Sequence, residues 1–109
     1  MTPEAVVKAA VKAVLGVRGI WYYMTVSNGM GQHGIPDFIC CVPPSGKFLA
    51  IETKAPGKLR NVTALQERAI GNIRTAHGWA LAIDDVSQLI SFLDGDAALA
   101  ATEPKEQGK

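Results

Sequence analysis

The chain has 109 residues, 48% of them hydrophobic, and a net charge of +1. That length holds one domain with a modest core, and that apolar content excludes a wholly disordered chain. No apolar run reaches the roughly 20 residues of a membrane-spanning helix, so none is expected. The first predicted element is a helix. Thr2 is a good N-cap, Pro3 suits the first helical position, and Glu4 favours the positive end of the helix dipole. Val7, Val11, Val14 and Leu15 make its apolar face, Glu4, Lys8 and Lys12 a second stripe, and Gly16 a natural stop. Residues 20–26, aromatic and β-branched, read as the first strand.

Ser27 to Pro36 is a loop with Gly29, Gly31 and Gly34. Asp37 to Val42 is a second strand, Pro43-Pro44-Ser45-Gly46 a turn, and Lys47 to Glu52 a returning third strand, which makes a hairpin. A loop from Ala55 to Asn61 leads to a second helix over about 63–77, with Leu65, Ala69, Ile73 and Ala76 facing the core. Trp79 to Ile83 is a short buried strand, and Asp85 caps a last helix carrying Val86, Leu89, Ile90 and Leu93. The order α-β-β-β-α-β-α predicts an α/β domain over residues 1–94, with a mixed four-stranded sheet flanked by helices. Residues 95–109, rich in Ala, Glu and Lys with little to bury, read as a disordered tail.

Residues 1–20 mix charged and apolar positions and lack a signal peptide's apolar stretch, which points to the cytoplasm. Cys40 and Cys41 are neighbours on a strand and so face opposite ways; both read as reduced core residues. Charge is distributed unevenly. Residues 47–74 carry six basic side chains against Glu52 and Glu67, whereas from Asp84 onward six acids outnumber two lysines. Positive charge is thereby concentrated where a polyanion would approach.

Chemistry concentrates at two strand ends. Asp37 follows Pro36, which cannot donate to a sheet ladder, at the start of an apolar strand. Glu52 closes the run Phe48-Leu49-Ala50-Ile51, where a carboxylate is either solvated at the sheet's end or held by a cation. Lys54 lies two residues on, so on a strand it shares a face with Glu52. Two hard oxygen ligands beside an amine can hold a divalent metal next to a water to be deprotonated, the minimum needed to cut a phosphodiester. Taken singly each has an ordinary structural explanation, a strand-end aspartate and a surface Glu–Lys pair; the ordered conjunction is what points to catalysis.

Gly34-Ile-Pro-Asp37, Glu52-Thr-Lys54 and a helical Gln66 resemble the PD-(D/E)XK nucleases, and more narrowly the VRR-NUC domain in its stand-alone phage and bacterial form. The resemblance runs from the first helix to the last strand and implies a restriction-endonuclease-like core. It implies that Asp37, Glu52 and the backbone carbonyl of Thr53 ligate Mg²⁺ or Mn²⁺, with Lys54 assisting the attacking water. It places Gln66 near the nucleophile or phosphate, while Thr63-Ala-Leu-Gln66 is equally a capping box; the two roles can coexist. It suggests an acid of the first helix near the metal through water, for which Glu4 is the candidate and an ion pair with Lys8 the alternative.

Lys58 and Arg60 are candidate phosphate contacts, as are Gln32 and His33 on the glycine loop, with surface solvation the alternative for each. Trp21, Tyr22 and Tyr23 would stack bases only if exposed, and strand geometry favours packing. The resulting expectation is a metal-dependent DNA endonuclease selective for structured DNA such as four-way junctions or flaps, working as a homodimer in a bacterial or phage-infected cell. Its rivals are a non-catalytic nucleic-acid-binding module of the same fold, and a regulatory protein whose motif is coincidental. A pure binder gains nothing from two acids facing a polyanion.

Overall fold

A computed structural model describes residues 1–26 and 33–98. Helix α1 (Pro3–Val17) is followed by strands β1 (Trp21–Met24), β2 (Phe38–Val42) and β3 (Lys47–Thr53). A 3-10 turn (Leu59–Asn61), helix α2 (Ala64–Thr75), strand β4 (Trp79–Ile83) and helix α3 (Val86–Phe92) complete the sequence of elements. The sheet order is β1-β2-β3-β4; β1 to β3 form an antiparallel meander, and β4 returns parallel to β3 after the α2 crossover. This is the α-β-β-β-α-β-α order and the mixed four-stranded sheet that the sequence implies. Among the described residues no helix is long and apolar enough to cross a membrane.

Alternation along the strands divides the core. Phe38, Cys40, Leu49, Ile51 and Ile83 face α1 and α3 and pack with Val7, Val11, Leu15 and Leu89. Ala50 and Ala80 point the other way, onto Ile70 and Ile73 of α2, and their small size lets the helix lie close. Glu52 follows Ala50 by two residues and so falls on the α2 face.

Several boundaries differ from the sequence reading for identifiable reasons. Helix α1 does not stop at Gly16. It ends at Val17, with Gly19 in the left-handed region at φ 66°; the Ile20 N–H donates to Leu15 O and the Gly19 N–H to Gly16 O. That paired closure needs a residue tolerating positive φ just past the helix, and it tucks Ile20 beside Leu15 in the core. Asp37 lies just outside β2, although its carbonyl still accepts from Thr25 N–H at 2.9 Å and extends the ladder. The chain also remains helical past Asp94: a π-helical turn over Leu93–Ala97 buries Leu93 and Ala97, and Arg18 holds Asp94 at 2.6 Å. Residues 99–109, the greater part of the expected tail, lie outside the described residues.

The aromatic run and the cysteines are only half core. Tyr22 packs on Phe38 with ring centroids 5.8 Å apart, but Trp21 is 64% and Tyr23 57% exposed. Cys40 is buried, whereas Cys41 is exposed. The reason is coverage: Trp21, Tyr23 and Cys41 lie on the α2 side of the sheet, where α2 packs over β3 and β4 and only Ile39 of β2 joins that layer.

Candidate active site

The antiparallel register Phe38↔Ile51, continued by one residue, sets the main chain of Asp37 across from Glu52. The Asp37 carboxylate then leans on the end of β3. Its Oδ2 accepts from the Thr53 N–H at 2.9 Å and from the Thr53 hydroxyl at 2.7 Å. Two donors on one oxygen fix the rotamer and leave Oδ1 facing outward, 3.7 Å from the Lys8 ammonium. Thr53 therefore has a role its sequence position did not reveal, orienting Asp37 through its buried hydroxyl and amide.

Glu52 is 2% exposed, an unusual place for a carboxylate. Its Oε2 accepts from Gln66 Nε2 at 2.9 Å and lies 3.6 Å from Lys54 Nζ, while Oε1 is buried without a hydrogen-bond partner. Burial, and next the neighbouring Asp37 charge, push the Glu52 carboxyl up to about 7; Lys54 works against them and Glu4 adds a small further push. Lys54 is positioned by the sheet: its N–H donates to Ile83 O at 2.8 Å, extending the β3–β4 pairing by one step. The same-face expectation for Glu52 and Lys54 thus corresponds to a direct ion pair.

Gln66 makes the cap and also contacts the buried acid. Its Oε1 accepts from the Thr63 N–H at 2.9 Å and the Thr63 hydroxyl accepts from Gln66 N–H, closing the capping box. The amide nitrogen of the same side chain remains free to donate to Glu52. One side chain therefore ties the start of α2 to the buried carboxylate.

Glu4 pairs with Lys8 at 3.3 Å, so the first helix presents an acid and an amine beside Asp37. Lys58, Arg60 and His33 are exposed, and Gln32 lies outside the described residues. Arg60 lines an open cleft of about 420 Å³ along α2 with Val62, Glu67, Arg74 and Ala82; neither acid lines it, although Ala82 is the β4 partner of Glu52. Sequence reading missed Asp84. It accepts from the Gly57 N–H at 2.9 Å and from Gln88 Nε2 at 2.8 Å, pinning the loop that follows Lys54. Its only signal was an acid at the end of a strand, too common to single out.

The donor set fits a small hard cation. Two carboxylates with one orphaned, buried oxygen, beside the end of β3 with its Thr53 carbonyl, supply oxygen ligands only. Among the described residues no three His, Cys, Asp or Glu side chains form a cage of their own, so such an ion would draw its other ligands from backbone, water or substrate. Glu4, Asp37 and Glu52 against Lys8 and Lys54 also leave the site one negative charge in excess when all are ionised.

Gly34 secures the approach to Asp37. Its φ is 84°, and a Cβ there would meet the Leu65 carbonyl oxygen at 2.6 Å and its carbon at 2.7 Å. Gly34→Ala is expected to destabilise the protein by roughly 1–3 kcal/mol and to shift the Asp37 loop away from α2. A denaturant midpoint unchanged from wild type would contradict this.

Sequence comparison finds neither a matching family model nor a matching curated protein. Structure comparison does. A solved structure described as a VRR_NUC domain superposes with a TM-score of 0.71 at 18% sequence identity, covering 87% of this chain and 98% of that one. The protein therefore has the VRR-NUC fold, as the Gly-Ile-Pro-Asp and Glu-Thr-Lys motifs imply.

Proposed function

We propose that the protein is a Mg²⁺- or Mn²⁺-dependent endodeoxyribonuclease that hydrolyses phosphodiester bonds by in-line attack of water. The observation that carries this reading is the buried Glu52 with its unpartnered Oε1, set beside an oriented Asp37 and a shielded Lys54. Asp37, Glu52 and the Thr53 carbonyl would hold the ion, with Glu4 reaching it through water. When bound, the ion would acidify water and offset charge on the phosphate.

The chain's own groups divide the remaining work. Thr53 keeps Asp37 in a single rotamer. Gln66 holds Glu52 while its carbonyl oxygen stays engaged in the cap, which fixes the carboxylate relative to α2. The Lys54 ammonium, with its side chain 14% exposed, is close enough to Glu52 to share its environment and open enough to meet a water or a phosphate oxygen. As the ammonium it would position the nucleophile and offset charge in the pentacovalent transition state; only as the free amine would it accept the water's proton. Lys58 and Arg60 would contact the DNA backbone, with Gln32 and His33 on the loop before Asp37.

A domain this small carries no recognisable base-reading module, which favours recognition of DNA shape, as in four-way junctions or flaps. A symmetric homodimer acting in the cytoplasm of a bacterial or phage-infected cell would present two sites for paired cuts. Support for the dimer is the exposed sheet face bearing Trp21, Tyr23 and the 40% exposed Phe48. Light scattering is expected to give twice the chain mass, and a monomer at all working concentrations would contradict it.

The nuclease reading is tested on a labelled panel of linear duplex, single strand, flap and four-way junction, with Mg²⁺, Mn²⁺ or EDTA. Metal-dependent cutting, strongest on a branched substrate, is the expected result. A wild-type protein inert on every substrate with either metal would overturn it and favour the non-catalytic DNA-binding alternative.

A further inference from the structure

Lys8 has no part in the reading above, yet it reaches the site. It projects from α1 with its ammonium 3.7 Å from Asp37 Oδ1 and 3.3 Å from Glu4 Oε2. Both separations are loose for charge-assisted hydrogen bonds, which close to about 2.7–2.9 Å. Its side chain is 32% exposed, so the charge is shielded enough to matter and open enough to be taken by an incoming ligand. The two amines flank the acid pair from different elements, Lys54 on Glu52 and Lys8 on Asp37. A cation resting on Asp37 Oδ1 occupies the oxygen left free by Thr53, the one a metal ion would need.

From this juxtaposition we propose that Lys8 is a DNA-phosphate anchor which the metal-free site parks on Asp37. The proposal rests on the nuclease reading and adds a substrate-binding residue to it. When a divalent cation takes Asp37, the ammonium loses its partner there and swings on its four-carbon stem toward the backbone of the bound strand. Glu4, one helical turn away, limits that swing and keeps the amine at the rim of the site. Metal arrival and strand capture are thereby coupled: the charge released from Asp37 becomes the charge that grips the phosphate.

Two readouts besides activity test this, each with Lys8→Gln, the charge-retaining Lys8→Arg, and Lys12→Gln, an exposed lysine on the same helix, as comparison. The first is Mn²⁺ affinity by calorimetry without DNA. Removing a competing cation from Asp37 is expected to tighten Mn²⁺ binding roughly two- to five-fold in Lys8→Gln, the scale of a partly exposed ion pair. The second is the salt dependence of binding to a fluorescein-labelled four-way junction in Ca²⁺. Loss of one phosphate contact is expected to lower the log–log slope by about one in Lys8→Gln, with Lys8→Arg and Lys12→Gln close to wild type.

An unchanged slope overturns the phosphate role, leaving Lys8 a counter-ion of Asp37, and unchanged Mn²⁺ affinity overturns the parking on Asp37. Either failure leaves a cleaving wild-type enzyme as it was. Failure of the nuclease reading itself shows differently, as a wild type that cuts no substrate with either metal. The half-exposed position and good helix propensity of glutamine keep Lys8→Gln folded, which a melting curve verifies.

Discussion

Lys54→Ala is expected to lower single-turnover cleavage by on the order of 10²–10⁴-fold, the usual contribution of a positioned acid–base group. The lysine sits one residue beyond β3, tied by its amide to Ile83 O, with its ammonium 3.6 Å from Glu52. Its contribution falls on the reacting phosphate, whereas strand binding is spread over other cations. The loss should therefore appear in kcat with KM little changed. Lys54→Arg should rescue poorly, because the planar guanidinium fork does not place its charge where the compact ammonium sits beside Glu52. Wild-type rates in Lys54→Ala on the preferred substrate would remove the lysine from the mechanism.

The second large effect is on stability and follows from the buried carboxylate. In the folded, metal-free protein Glu52 holds its proton up to about pH 7, against an ordinary value of 4.5. Between those values the folded state binds more protons than the unfolded state, so stability declines as pH rises and levels off above about 7. The gap corresponds to roughly 3 kcal/mol lost between pH 4 and pH 8. Glu52→Gln keeps the shape and can still accept from Gln66, but has no charge to bury. In EDTA the variant is expected to be as stable as wild type near pH 4 and more stable at pH 8. Mn²⁺ should reverse the ranking at pH 8 by stabilising only the wild type. Parallel pH–stability curves for the two proteins would show that Glu52 is not strained in the folded state. The residue proposed to bind the ion is thus expected to be a liability without it, as active-site groups often are.

Much of this site could be read before any coordinates. The order of elements followed from the unbroken apolar runs Phe38–Val42 and Phe48–Ile51, the Pro-Pro-Ser-Gly turn and the Thr63–Gln66 capping box, all local signals with local causes. Glu52 and Lys54 were legible because a strand's period of two forces them onto one face. What stayed hidden depends on which helix covers which part of the sheet. Tyr22 and Tyr23 are adjacent and chemically identical, yet one packs on Phe38 and the other meets solvent, since α2 packs over β3 and β4 and leaves Tyr23 exposed. Lys8 was read as one member of a helical charge stripe; its approach to Asp37 is set by the packing of α1, separated by 29 residues of chain. For Gln66 the capping box was visible in the sequence, whereas the hydrogen bond from its amide to Glu52 depends on how α2 packs on the sheet.

The most direct test of the central claim is a Mn²⁺ titration followed by the loss of the free-ion electron paramagnetic resonance signal, on wild type and on Asp37→Asn with Glu52→Gln. Saturable binding by the wild type, abolished or weakened at least ten-fold in the double variant, is the predicted result. Equal uptake by both proteins, or none by either, would contradict a metal centre built on Asp37 and Glu52.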